Sequence, residues 1–358
     1  MADPPSAPTF LGIPKEILNK ILVDTNVIAI QSLRKTSKSL REFVGEKPFQ
    51  FNDTTENIDF KVSANEISMS IDCEDEDEEE DSVYVVYEQK ENGCSVFKAL
   101  NAHQEVDESE KKFLKNVDIF GVAYNDLESI LRAQVGRVST FIIEFNPIGC
   151  EEKRQKSVVV QQKLVDYLKS RHGLMAVNEL RVTAATQEEI IKIMGCFKAE
   201  GLQTLNISNG NQEATNPDQL FDISQIILSE HFQRASEVCM DDFLVNVPMQ
   251  VFLHLQVVDI TVDTVNHHDL HIVKESFRRS ACKNRKFCIK FNQFENEPTA
   301  SQMLGEFSDN PYVRTWFYIV LESELIAHME IPHFNKGRRF VRFLYTKYSP
   351  FIHSRLNY

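Results

Sequence analysis

Glu179-Leu180-Arg181-Val182-Thr183 alternates apolar and polar residues. After two alanines it runs into Thr186-x-x-Glu189, and then into Ile190, Met194 and Phe197. The first five residues carry a period of two, which puts successive side chains on opposite faces of a strand. Thr186 and Glu189 have the spacing of a capping box, in which each side chain satisfies a backbone N–H at a helix start. Ile190, Met194 and Phe197 then share one helical face. The stretch therefore predicts a strand followed at once by an amphipathic helix.

The same couplet recurs along the chain. Strand-like seeds lie at Thr140–Phe145, Leu202–Ser208, Glu237–Asp241, Val257–Val262 and Lys286–Phe291. Helical faces are predicted at Val160, Leu164 and Leu168, at Leu220, Ile223 and Ile227, and at Leu270, Val273 and Phe277. A strand and a helix returning about every 20–40 residues is the pattern of stacked repeats. The expectation for residues 137–358 is an α/β domain, a leucine-rich-repeat-like solenoid of alternating strands and helices. An ordinary layered α/β domain is the open alternative, because the repeats are irregular and lack the leucine-rich asparagine signature. The segments Thr315–Val320 and Ala327–Ile331 read as a strand pair, and Phe340–Tyr348 as a cap on the solenoid's far end.

Upstream, residues 1–9 are Pro-rich and polar and read as disordered. Residues 10–48 read as three short helices. Pro14 suits a first helical turn, where its missing N–H costs nothing, and Ile17, Leu18, Ile21 and Leu22 follow on one face. Gly45 and Pro48 end the third helix. A unit this small buries little apolar surface by itself and leans on a neighbour or a partner. Residues 49–136 read as a connecting region with β-hairpins at Ile67–Ile71, Val83–Tyr87 and Ser95–Lys98.

The chain has 358 residues, 39 basic and 53 acidic, for a formal charge of −14. Within residues 72–81 every position but Cys73 is acidic, and removing those nine charges leaves −5. The run reads as a solvated loop, with a dock for a basic partner as the functional alternative. An acidic balance argues against generic nucleic-acid binding. The seven cysteines are scattered with no Cys-x-x-Cys pair, the usage of a reducing compartment. There is no apolar run of membrane-spanning length. The expectation is a cytoplasmic or nuclear protein without a membrane partner.

Residues Phe10 to Val44 resemble the F-box, through Ile13-Pro14-x-Glu16-Ile17-Leu18-x-x-Ile21-Leu22, then Ile30, Leu33-Arg34-Lys35 and Ser37. Thr25 stands where a Leu is common and Leu40 where a Trp is common. From Glu66 onward the chain resembles the FTH domain that accompanies the F-box in a large nematode family, the F-box A type. The landmarks are Glu66-Ile67-Ser68-Met69, Val83–Tyr87, Cys94, Glu179–Val182 and Trp316-Phe317-Tyr318. The resemblance implies a small all-α F-box ahead of the α/β domain. It further implies a substrate-receptor subunit of an SCF-type (Skp–cullin–F-box) ubiquitin ligase, not itself an enzyme and needing no cofactor. Ile13, Pro14, Glu16, Ile17, Leu18, Ile21, Leu22, Ile30, Leu33 and Leu40 would dock a Skp-type adaptor and, through it, a cullin. An interaction module acting outside any ligase is the second reading.

Strand alternation supplies the candidates for target binding. Leu180, Val182, Leu205, Ile207, Val258, Ile260, Val262, Phe287, Ile289 and Phe291 should point inward. The outward set includes Arg181, Thr204, Asn206, Asp259, Thr261 and Lys290, whose mixed charges suit a protein target better than a nucleic acid. Two other clusters have spacings that suggest chemistry. His267-His268-x-x-His271, with Cys282 or Cys288, has metal-like spacing, but the expectation is a helix start with exposed imidazoles and no metal. Lys336, Arg338, Arg339, Arg342 and Lys347 interleave with Phe340, Phe343 and Tyr345, as in single-strand binders. There the expectation is an amphipathic cap and no nucleic acid.

Overall fold

The computed structural model describes residues 13, 14, 17, 20, 55–63, 65–73, 81–99, 111–133, 137–145, 151–170, 173–210, 220–280, 282, 284–295, 308–309, 313–319, 325–332 and 339–347. They belong to two compact units, Met1–Asn178 and Glu179–Tyr358. The sequence reading divides the chain at 136/137 instead.

The first unit holds β1 (Thr55–Val62), β2 (Glu66–Cys73), β3 (Asp81–Lys90), β4 (Gly93–Ala99), β5 (Lys112–Lys115), α1 (Ile119–Ala133), β6 (Val138–Phe145) and α2 (Glu151–Ser170). Its strands run in the order β6-β1-β2-β3-β4-β5. β1 and β6 are parallel; the others pair antiparallel. Gly93 opens β4 at φ +148°, and a Cβ there would stand 2.0 Å from the Leu114 carbonyl oxygen, so β5 closes only on a glycine. α1 starts where the Asp118 carboxylate accepts from the Gly121 N–H at 3.2 Å. Ile119, Ala123, Leu127, Ile130 and Leu131 then form a buried stripe at helical spacing. The Tyr87 hydroxyl donates to Asp126 at 2.8 Å and ties β3 to α1.

β7 (Val177–Ala184) spans the division. The second unit continues with α3 (Gln187–Met194), β8 (Thr204–Asn209), β9 (Leu220–Phe221), α4 (Glu230–Arg234), β10 (Glu237–Val245), a 3-10 turn at Met249–Phe252, β11 (Val257–Asn266), α5 (His267–Arg279) and β12 (Lys286–Glu295). β13 (Ser308–Asp309), β14 (Val313–Ile319), β15 (Leu325–Pro332) and β16 (Arg339–Lys347) follow. The order is β13-β14-β15-β16-β12-β11-β10-β8-β7, with β9 on β10. The pairs from β7 to β12 are parallel. Those from β12 through β16 to β13 are antiparallel.

This corrects the fold class read from the sequence. The described residues are mostly mixed β-sheet with five helices, not a small all-α domain followed by a leucine-rich-repeat-like solenoid. A solenoid adds one parallel repeat to the next. Here β16 turns back and pairs with β12, setting Phe343 against Phe287 and Val341 against Ile289. Phe340–Tyr348 is therefore not an end cap. Leu220, Ile223 and Ile227 form no helix either: Leu220 is in β9 and half exposed, while only Ile223 of the three is fully buried. The residues read as three F-box helices lie outside the described residues, apart from Ile13, Pro14, Ile17 and Lys20.

The local signals held where neighbours decide them. Thr186 and Glu189 make both bonds of the capping box. Ile190, Met194 and Phe197, and on α5 Leu270, Val273 and Phe277, are buried. Phe277 anchors that core, with ring centroids 5.3 Å from Phe287 and 5.5 Å from Phe343.

Candidate functional site

The inward set is buried as the alternation requires, from Leu180 and Val182 through Phe287, Ile289 and Phe291. Register gathers the outward residues into rows. Arg181 lies opposite Asn206, Asn206 opposite Cys239, Cys239 opposite Asp259, and Asp259 opposite Cys288. Thr204 falls in the neighbouring row, beside Glu179 and Glu237, and Lys290 pairs with Thr261 in the row beyond. Arg181 is exposed, and Thr204, Asn206, Asp259 and Lys290 are half-buried.

Thr261 departs from the expectation, with none of its surface exposed. An irregularity in β10 between Met240 and Leu244 sets Leu244 beside it, and both are buried. Alternation alone cannot show such a shift in a neighbouring strand.

The face is laced together by its own side chains. Lys290 Nζ stands 3.2 Å from Asp259 Oδ1, Arg181 Nε donates to Glu179 at 2.5 Å, and Asn292 donates to Asp263 at 3.1 Å. The sequence reading missed residues that β16 and β15 bring to the same row: Arg342 opposite Cys288, and Glu330 opposite Arg342. Their signal was the parity of Arg342 against Val341 and Phe343, which is informative only once β16 is known to pair with β12. Burial pushes the Cys288 thiol up, and Asp259 adds to it. A hydrogen bond from His328, with help from Arg342, holds Glu330 below the usual carboxylate range.

A second feature lies at the end of α5. A groove of 730 Å³ runs between α5 and the turn before β11, lined by Leu253, His254, Leu255, Ile272, Glu275 and Arg279, among others. Its floor includes Arg285, 5% exposed. Arg285 donates to the carbonyls of Leu253 (2.7 Å), Leu255 (3.3 Å) and Ser276 (3.1 Å) and to the Ser276 hydroxyl (2.8 Å). Its guanidinium stacks 4.8 Å from the Phe277 ring centre and 5.1 Å from that of Phe287. Burial lowers its affinity for the proton, and Tyr345 partly restores it. A cation at a helix C-terminus, bonded to the last carbonyls, is favoured by the helix dipole.

The His cluster opens α5 as expected, but only His268 is exposed, and His267 and His271 are half-buried. Asn266 and Asp269 form a capping box over the first turn of α5, at 3.0 and 3.2 Å, which occupies Asp269. Among the described residues no three His, Cys, Asp or Glu gather at metal-binding spacing, and no helix is long and apolar enough to cross a membrane. Of the basic-aromatic set, Lys336 and Arg338 lie outside the described residues. Phe343 is core, and the Tyr345 hydroxyl donates to the Phe277 carbonyl at 2.7 Å. Of the adaptor-docking set, Ile13, Pro14 and Ile17 are described. The Ile17 N–H donates to the Pro14 carbonyl at 3.0 Å, and Ile17 is 48% exposed. Glu16, Leu18, Ile21, Leu22, Ile30, Leu33 and Leu40 lie outside, as do residues 74–80 of the acidic run.

The parallel strands β7 to β12, with α3, α4 and α5, coincide with one comparison. Residues 159–303 match the FTH domain. The FTH domain is a protein-interaction domain typical of F-box proteins. All six target-binding candidates and the groove lie within the FTH match, as does Glu179–Val182. The landmarks at Glu66–Met69, Val83–Tyr87, Cys94 and Trp316–Tyr318 lie outside it. No curated protein and no solved structure matches the chain.

Proposed function

We propose that the chain is a non-catalytic substrate receptor of an SCF-type ubiquitin ligase, of the nematode F-box A type. In this reading Ile13 to Leu40 dock a Skp-type adaptor and, through it, a cullin, while the FTH domain holds a protein target. The observation that carries the reading is the pairing of an FTH match at 159–303 with F-box-like residues ahead of it. The 48% exposure of Ile17, an apolar side chain on a first helical turn, fits a surface that a partner would cover. The polar strand face supports the target side of the reading. Its paired charges, Lys290 with Asp259 and Arg181 with Glu179, suit the polar rim of a protein interface.

The test is co-purification with a Skp-type adaptor. Pro14→Ala combined with Leu18→Ala should weaken adaptor binding by about 2 kcal/mol or more, because buried anchors dominate interfaces. A folded double variant that retains the adaptor as well as the parent would overturn the adaptor assignment. Replacing Arg181, Asp259 and Lys290 together by Ala should change the proximity-labelled partners while adaptor binding stays intact. Unchanged partners would move the target site off this face.

A further inference from the structure

The groove at the end of α5 has a charge balance unlike that of the chain as a whole. The chain carries −14, yet the groove lining sets two arginines, Arg279 and Arg285, against a single carboxylate, Glu275. Arg279 is exposed and has no hydrogen-bond or ion-pair partner among the described residues. Arg285 beneath it bonds only to neutral acceptors. The groove's carboxylate, Glu275, is neutralised by Arg278 at 3.1 Å. The negative end of the α5 dipole offsets only part of the remaining positive charge. His254 is exposed on one wall, and His271 on the other keeps a buried Nδ1 without a hydrogen-bond partner.

The walls also carry the apolar side chains of Leu253 and Ile272, and their rings are the imidazoles of His254 and His271, with no Phe, Tyr or Trp in the lining. Single-stranded nucleic acids need a run of stacking platforms, and this groove offers no Phe, Tyr or Trp for one. Apolar walls beside uncompensated cations suit an extended peptide with apolar and acidic side chains. The geometry points to this groove as the docking site for an acidic segment of a protein partner. The inference rests on the receptor reading and sharpens it. It adds a second contact within the FTH domain, apart from the polar strand face.

The test uses the purified full chain and a fluorescein-labelled decapeptide in which glutamates flank a central Leu-Leu pair. Glutamine and lysine versions of the peptide and a labelled oligothymidylate serve as controls. The glutamate peptide should bind at least tenfold more tightly than the glutamine peptide, and added salt should weaken it. Arg279→Glu should weaken binding at least fivefold with only a slightly lower melting temperature, since Arg279 has no hydrogen-bond or ion-pair partner among the described residues and gives up only its interaction with the helix end. Equal binding of the glutamine peptide would overturn the inference. So would undiminished binding by Arg279→Glu, or tighter binding of the oligothymidylate. Sedimentation of the free chain tests a second copy as occupant, and a dimer abolished by Arg279→Glu would likewise overturn it. Adaptor co-purification is scored in parallel. Its failure counts against the ligase reading and leaves the groove standing, whereas peptide failure with the adaptor retained counts against the groove alone.

Discussion

Lys61 and Arg285 are cations on strands or strand ends, one in each unit, and they are held in opposite ways. Lys61, in β1, reaches Asp59 at 3.5 Å and Glu144 of β6 at 3.4 Å, with its side chain 39% exposed. Arg285, just before β12, is 5% exposed and meets carbonyls, a hydroxyl and two aromatic rings. At a half-wet sheet surface, charge answers charge, and water screens the result. In the interior, the guanidinium spends its donors on carbonyls that helix and turn geometry leave without partners. The first arrangement tunes a surface. The second fixes the helix end and the turn that form the groove.

Replacing Arg285 should have the largest effect. Arg285→Met removes every donor and leaves the carbonyls of Leu253, Leu255 and Ser276 to find others. At about 1–3 kcal/mol for each buried acceptor, the loss should reach at least about 3 kcal/mol in urea denaturation. A loss below about 1 kcal/mol would show that water replaces the guanidinium freely. Arg285→Lys sharpens the comparison, because it keeps the charge but offers three donors without the planar fork. It should cost roughly 1–2 kcal/mol. If it proves as damaging as methionine, fork geometry rather than charge is what the site requires.

Lys61→Met should have the smallest effect, below about 1 kcal/mol at neutral pH, because the pair is substantially exposed. Its pH dependence is more telling. Burial opposes the charge on Lys61, but Glu144 and Asp59 outweigh it and raise the ammonium above its usual 10.5. A raised pKa means that the folded chain holds the proton more tightly than the unfolded one. The stabilisation is complete below 10.5 and is lost as the pH rises through the higher folded value. Parent and variant should therefore converge in stability above pH 10.5. Asp59 titrates with the same sign, but at the acid end of the scale. Burial raises its carboxyl above 3.8, so its contribution is present at acid pH and is lost as the pH climbs through the raised value. A parent-minus-variant difference that stays constant from neutral to strongly alkaline pH would dissolve the contrast between the two cations.

Much of the second unit was legible in the sequence. The Glu179–Thr183, Val257–Val262 and Lys286–Phe291 seeds each lie inside an observed strand, and the Thr186–Glu189 box caps a real helix. Of the six candidates named for the outward face, five keep some exposure and Thr261 is buried. These features depend on residues a few positions apart, so period and capping chemistry suffice to read them. The first unit was less legible. β1 and α1 passed as connecting chain, although α1 carries a clear apolar stripe, and β1 finds its parallel partner far along the sequence in β6. Strand pairing, burial depth and the groove were decided by tertiary structure alone. Nothing near Phe340 announces that β16 will lie against β12. Nothing near Thr261 reveals the shift in β10 that covers it, and nothing near Arg285 foretells the carbonyls of Leu253 and Leu255. Side-chain periodicity records which face a residue takes, while the neighbour across the sheet is set by the packing of the whole core.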